Sequence, residues 1–312
     1  MKVLYYLLLA VWWLFSLLPL RVHYVLSDLL YLILYRIAGY RVAVVRRNLS
    51  SSFPEETTDR LRDIERHFYH QLCDYFVETV KLMTMSRRQL RRRLVFHGID
   101  TLDAIVREGQ SCTIYLGHMF NWEYVTSLPL WLTSPVQCGQ IYHALESPIF
   151  DRLFIRLRQR LGSVCIPMAE TLRRLVNYKR KGIPVVIGFI SDQVPFWNNI
   201  HHWCQFLHHD TPVLTGTERV SRSANHAILY LNMCRVRRGY YEAELQLITR
   251  QPQDMGEYEI TDSYFSRLEQ SIRRQPELWL WTHNRWKRTR EEFDRRFQVV
   301  DGKVLPRKTE ET

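Results

Sequence analysis

The sequence is poor in the residues that loosen a chain. It has 12 Gly and 12 Pro in 312 positions, well under average usage, which excludes collagen-like, low-complexity and disordered architectures. Its six cysteines (Cys73, Cys112, Cys138, Cys165, Cys204, Cys234) form no C-x-x-C pair. That argues against a zinc ribbon or a disulfide-dense secreted scaffold and makes a reducing compartment the default. There is no internal repeat, zinc finger, ribonucleoprotein motif or recognition-helix pattern, so nucleic acid is discounted as a partner. Acidic residues are outnumbered, 32 against 43 Lys+Arg, for a net charge of +11, which points to an anionic partner. What the chain does have is 46% hydrophobic and 13% aromatic residues, with nine Trp and seventeen Tyr. Such rings favour places where one end is apolar and the other wet, which tilts the choice toward a membrane surface.

The apolar run Val3 to Leu20 is broken only by Ser16 and Pro19 and flanked by Lys2 and Arg21. As one helix it would reach roughly 27 Å, just enough for a ~30 Å hydrocarbon core. No small-x-small cleavage site follows, so a retained membrane-anchor helix is expected in preference to a signal peptide, with a tilted interfacial helix or a buried core helix as alternatives. The stretch Val22 to Ala38 carries Asp28 and Arg36 and reads as lying on the membrane or packing in the fold. Arg41, Arg46 and Arg47 follow it, placing the body of the protein on the cytoplasmic side by the positive-inside rule.

Ser52-Phe53-Pro54-Glu55 reads as a helix start. Leu61, Ile64, Phe68, Leu72, Phe76, Val80 and Met83 then recur at the spacing of a helix burying one face. Ser86 can cap a further turn carrying Arg87, Arg88, Arg91, Arg92 and Arg93. From about residue 95, strand candidates (112–116, 136–142, 164–167, 183–190) alternate with helical patterns (121–132, 148–161, 169–181). This is the signature of an α/β fold with a mixed, largely parallel sheet flanked by helices. Residues 227–236 and 240–249 read as a hairpin, 262–274 as a helix and 304–312 as a frayed tail. These signals divide the chain into an anchor (1–20), a helical membrane-proximal subdomain (21–94), an α/β domain (95–290) and a C-terminal tail (291–312).

The most informative stretch is Gly117-His118-Met119-Phe120-Asn121-Trp122-Glu123. His118 emerges at the carboxyl end of a predicted strand, where open α/β sheets assemble their sites. Residues five apart on a helix diverge by about 140°, so His118 and Glu123 meet only if His118 lies in the loop and Glu123 in the first helical turn. A histidine held by a carboxylate is an effective general base toward a hydroxyl and needs no Ser or Cys nucleophile. The bland alternative is a structural His beside a solvated Glu.

Gly117-His118-x-x-Asn121-Trp122-Glu123 resembles the H-x4-D/E signature of glycerolipid acyltransferases, and more closely that of the late lipid A biosynthesis acyltransferases of lauroyl and myristoyl type. Ser147-Pro148 with Asp151, Arg158-x-Arg160-x-Gly162, Asp192-Gln193 and Trp281-x-His283-x-Arg285-Trp286-Lys287 resemble further blocks of that family, over roughly residues 1 to 290. The resemblance implies transfer of an acyl chain from an acyl carrier protein thioester to a hydroxyl of a lipid A precursor. It implies action at the cytoplasmic face of a bacterial inner membrane, with membrane lipids as partners and no cofactor. His118 is then the base and Glu123 its orienting carboxylate, while Arg158, Asp192 and Asn121 bind substrate or stabilise the oxyanion. Phe120 stands where the family commonly has a small residue, which implies a reshaped loop and a narrower acceptor pocket. For Arg158 a solvated helix face, and for Asp192 a helix cap, are the ordinary alternatives. If their strands are parallel, however, Asp192 and His118 share one sheet edge.

His201, His202, Cys204, His208, His209 and Asp210 crowd ten residues, but their spacings match no familiar metal site, and they read as loop residues near lipid phosphates or as simply exposed ones. The basic groups at Arg87 to Arg93 and Lys179 to Lys181 could steer an acidic carrier protein, contact lipid phosphates or simply be solvated. Rival functions are acylation of another membrane lipid, such as a lysophospholipid or glycolipid, and a non-enzymatic membrane-anchored lipid-binding scaffold.

Overall fold

Pro19 breaks the N-terminal apolar run. In the computed structural model, which describes residues 2–300 and 302–307, α1 (Lys2–Leu17) ends before it and α2 (Leu20–Tyr31) starts after it, because proline has no N–H for the helical ladder and clashes with the preceding turn. The single anchor helix expected over Val3 to Leu20 is therefore not formed. The two segments, the second prolonged by a π-helical turn Leu32–Ile37, meet at 110°, and among the described residues no single helix is long and apolar enough to cross a membrane.

The chain continues through α3 (Val42–Ser52), α4 (Thr58–Leu82), α5 (Arg87–Arg93), β1 (Leu94–His97), α6 (Ile99–Arg107), β2 (Cys112–Leu116) and a 3₁₀ helix Trp122–Leu130. It goes on as β3 (Gln137–Tyr142), α7 (Pro148–Gln159), β4 (Val164–Pro167), α8 (Thr171–Arg180), β5 (Val185–Ile190), β6 (His202–Phe206) and β7 (His209–Val213). It closes with α9 (Gly216–Ala224), β8 (Ala227–Arg237), β9 (Tyr240–Thr249), α10 (Glu259–Arg274), α11 (Arg290–Arg296), β10 (Phe297–Val300) and β11 (Lys303–Pro306).

The main sheet runs β1-β9-β8-β2-β5-β3-β4. All neighbours are parallel except the β8–β9 hairpin, so the mixed, mostly parallel α/β sheet is as the alternation predicts. β5 shows how the sheet is used. Val185, Ile187 and Phe189 join Ile166 of β4 and Leu175 of α8 in one apolar cluster, while Val186, Gly188 and Ile190 line a cavity on the other side, as the period of two requires.

α4 lies between the α1–α2 hairpin and the sheet, and one core cluster runs from Tyr31, Leu49 and Phe68 to Ile114, Leu229 and Trp281. Because α4 is covered on more than one side, its buried set is not the simple stripe the period predicts. Phe76 is exposed, whereas Glu65, Asp74 and Glu78 are buried. Its start also differs from expectation: Ser52 ends α3, and Thr57 caps α4 by accepting from the Arg60 N–H. Ser86 does cap α5, reciprocally with Gln89. Of the expected frayed tail, residues 304–306 pair in the β10–β11 hairpin, and 308–312 lie outside the described residues.

Candidate functional site

β2 and β5 are adjacent and parallel, with Leu116 opposite Ile190. His118 and Asp192 each follow two residues later, so the register itself brings them together beyond the carboxyl edge of the sheet, where the strands stop consuming backbone groups. The His118 Nδ1 lies 2.6 Å from Asp192 Oδ1, and the His118 backbone N–H donates to Asp192 Oδ2 at 2.8 Å. The Trp279 indole N–H donates to the same Oδ2 at 2.7 Å. Gly117 makes the approach possible. A Cβ there would sit 2.6 Å from Leu268 Cδ1 of α10 and 3.4 Å from Asp192 Oδ2.

Burial alone would raise the Asp192 pKa; the charge and hydrogen bonds of His118, with the Trp279 N–H, outweigh it and hold the carboxyl at about 2. An ionised Asp192 requires the proton on Nδ1, which leaves the Nε2 lone pair facing outward, 3.3 Å from the Gln193 amide nitrogen. The contact His118–Glu123 that the spacing allows is not the one made.

Glu123, almost fully buried in the first turn of the 3₁₀ helix, faces α7 instead. Arg158 donates to it from Nε at 2.9 Å and from Nη2 at 2.5 Å, a bidentate pair of the kind that fixes both charge and orientation. Burial works against the Arg158 charge, but the Glu123 pairing overcomes it and raises the guanidinium pKa. Arg158 thus reaches inward from α7 rather than lying on a solvated helix face. The expected α-helix over residues 121–132 is a 3₁₀ segment capped by Asn121, whose Oδ1 accepts from the Glu123 N–H at 3.1 Å.

Phe120 lies in the core and is not among the residues lining the cavity at His118. Its ring is wholly buried, packed with Phe68, Tyr75 and Trp122, and its N–H donates to the Leu278 carbonyl.

His118, Glu123, Arg158 and Gln193 line a cavity of about 300 Å³. Leu116, Val125, Leu128, Ile141, Val186 and Ile190 give it apolar surface along the strands and the 3₁₀ helix, and Thr126, Gln140, Tyr142, His143 and Ser163 add further polar groups. A mainly apolar cavity that also presents a histidine and a guanidinium suits a ligand with a hydrocarbon part and a reacting head.

Trp279 and Tyr75 were not legible as site residues; Tyr75 on α4 brings its hydroxyl 3.5 Å from Glu123 Oε1. The only sequence signal for Trp279 is its place beside the Trp281–Lys287 block. The crowded histidines go to separate partners: His202 to Asp262, His209 to Ser51 and the Trp286 ring, His208 to Arg273.

No match to a curated protein is found. A family model, bacterial lipid A biosynthesis acyltransferase, matches residues 1–288, a span that contains the strand-edge histidine, its aspartate, the buried Glu–Arg pair and the apolar cavity. On that span the chain belongs to the bacterial lipid A biosynthesis acyltransferases, and is an enzyme that transfers acyl groups in lipid A synthesis.

Proposed function

We propose that this enzyme moves a fatty acyl chain from an acyl carrier protein thioester to a hydroxyl of a lipid A precursor, with His118 as general base. The observation that carries the reading is the His118–Asp192 pair beside a mainly apolar cavity. The acyl chain lies along the apolar strands with its thioester carbonyl beside His118. Nε2 takes the acceptor hydroxyl's proton as the oxygen attacks the carbonyl carbon. The tetrahedral intermediate then collapses, the C–S bond breaks, and the imidazolium returns the proton to the departing thiolate. Products are an ester and a free thiol, and no acyl-enzyme forms. Asp192 fixes the tautomer and stabilises the imidazolium. Glu123 occupies Nε and Nη2 of Arg158, leaving Nη1 to face oxyanion or substrate oxygen.

The membrane placement rests on the bent N-terminal pair, which exposes Leu14, Phe15, Leu17, Leu29, Ile33 and Ile37. Scattered single residues need no explanation, but this many on two adjoining helices do. Lying in the interface of the inner membrane's cytoplasmic leaflet, it would bring the site to its lipid acceptor. The nearby α5 arginines form none of the ion pairs among the described residues, and offer their charge to lipid phosphate or to an acidic carrier protein.

The test is acyl transfer to a lipid A precursor in anionic liposomes. His118→Ala should lose about 10²- to 10⁴-fold in kcat with smaller change in KM, and near wild-type transfer by the folded variant would reject the base. In the same preparation the protein should float with the liposomes, and remaining unbound would reject the interfacial placement. Transfer to a lysophospholipid in preference to the lipid A precursor would move the acceptor to another lipid class.

A further inference from the structure

α4 carries a carboxyl group that none of the chemistry above uses. Glu78 is fully buried, and among the described residues no cation lies within ion-pair distance of it. Its neighbour one turn earlier, Asp74, has Arg238 at 2.7 Å and the Ser27 hydroxyl at 2.7 Å. Glu78 instead accepts from three neutral groups on three elements. The Tyr24 hydroxyl of α2 donates to Oε1 at 2.9 Å, the Asn121 amide to Oε2 at 3.0 Å and the Tyr241 hydroxyl of β9 to Oε2 at 3.0 Å. An apolar residue would fill this place without the cost of desolvating a carboxylate, so the group calls for a use.

The use is visible at Asn121. Its side-chain amide is bifunctional: Nδ2 donates to Glu78, and Oδ1 accepts from the Glu123 N–H at 3.1 Å. Glu78 and the Glu123 N–H therefore fix the amide from opposite ends. With Glu78 in place the oxygen must point at the backbone of Glu123, whose carboxylate holds Arg158 at the cavity. Without it, Nδ2 has lost its acceptor, and the Glu123 N–H alone is left to hold the amide.

We propose that Glu78 is a positioning residue for acyl transfer, orienting Asn121 and through it the Glu123–Arg158 pair, while Tyr24 ties the same carboxyl to the N-terminal hairpin. The proposal rests on the assignment of Glu123 and Arg158 to the reacting site made above. Burial pushes the Glu78 carboxyl up to about 7, the Asn121, Tyr24 and Tyr241 hydrogen bonds acting against it and Asp74 with it. The arrangement serves either protonation state: a proton on Oε1 can be donated to the Tyr24 oxygen while Oε2 still accepts from Asn121. Glutamine has the same pattern, with its amide nitrogen toward Tyr24 and its oxygen toward Asn121 and Tyr241.

The experiment is steady-state kinetics on Glu78→Ala, Glu78→Gln, Asn121→Ala and the Glu78→Ala/Asn121→Ala double variant of the full chain, alongside wild type and His118→Ala. Glu78→Ala should lower kcat about 10- to 100-fold, the scale of a misplaced site, with KM for the lipid acceptor within about twofold. Glu78→Gln should retain most of the kcat, and the double variant should be no slower than Asn121→Ala alone, because both act through one amide. Wild-type kcat in Glu78→Ala, or losses that multiply in the double variant, would overturn the proposal. Should Glu78→Ala fail to fold, Glu78→Met fills the space without an acceptor and carries the same expectations. Activity lost in His118→Ala but kept in Glu78→Ala refutes the positioning role alone, whereas absence of transfer by wild type refutes the function on which it rests.

Discussion

The loop from Gly117 to Asn121 is gripped from two sides by buried carboxyl groups, and the two grips work in opposite ways. On the sheet side, Asp192 accepts from a backbone N–H, an indole N–H and an imidazole that can carry charge, and its pKa is about 2 despite its burial. On the helical side, Glu78 accepts only from an amide and two phenols, and burial carries its pKa to about 7. Equal burial therefore does not fix the state of a carboxyl; the charge its donors can bear does. Asp192 is built as a permanent negative charge that stabilises an imidazolium, Glu78 as a clamp indifferent to charge. Glu123 between them follows a third pattern, a full ion pair with Arg158.

The largest effect that tests this contrast is expected from Asp192→Asn. Oδ2 receives two N–H donors, from the His118 backbone and Trp279, so the asparagine oxygen must take that position and its NH₂ group must face Nδ1. Nδ1 then becomes the acceptor, the imidazole proton moves to Nε2, and the lone pair needed by the base is gone. A loss of about 10³-fold in kcat with KM little changed is expected, within the range for a positioned general base. Nearly wild-type turnover would show that Asp192 is a structural cap and that the ionised grip is not used.

A smaller effect, on stability, is expected at the ion pair. Arg158→Met leaves the Glu123 carboxylate buried without its cation, which should cost about 3 kcal/mol in urea unfolding. Adding Glu123→Gln should recover part of that loss, since the penalty comes from the stranded charge. If Arg158→Met is as stable as wild type, Glu123 is satisfied otherwise, and the separation of the three carboxyl groups by donor type fails.

The sheet side of this comparison was readable in advance and the helical side was not. A strand ending in Gly-His and a later strand ending in Ser-Asp are local signals, and parallel pairing then places His118 and Asp192 on one edge. Which carboxylate meets the imidazole is not local: the partner lies 74 residues away in sequence, fixed by the β2–β5 register, while the sequence-near Glu123 is turned aside by a 3₁₀ turn and Arg158. On α4 a one-sided period places Phe76 inside and the acids in water. The α1–α2 hairpin covers the other side of that helix, so Asp74 and Glu78 are buried and Phe76 is not. Pro19 was visible as an interruption of the apolar run, but neither the 110° bend at it nor the packing of α2 on α4 is a local signal.

The smallest expected effect is on the pH dependence of stability, where the two grips should differ in sign. Asp192 has a native pKa of about 2, below an unfolded value near ~3.9. Its contribution is present above pH ~4 and lost as pH falls toward 2. For Glu78 the native value of about 7 lies above an unfolded value near ~4.3. Between those limits the folded state holds a proton that the unfolded state has released, so this group makes stability fall as pH rises from ~4.3 to 7. The groups facing it are Asp74, Tyr24, Tyr241 and Tyr124, with Arg93 beyond Tyr24. Of these the phenols stay neutral throughout the interval, being raised by burial. Glu78→Gln removes the titration and keeps the hydrogen bonds. Relative to wild type, its melting temperature should therefore gain about 3–5 °C between pH 5 and pH 7.5, a shift of roughly 2–3 kcal/mol for a chain of this size. A constant difference across that interval would mean that Glu78 is ionised throughout, with an unrecognised charge beside it, and the contrast between the two grips would collapse.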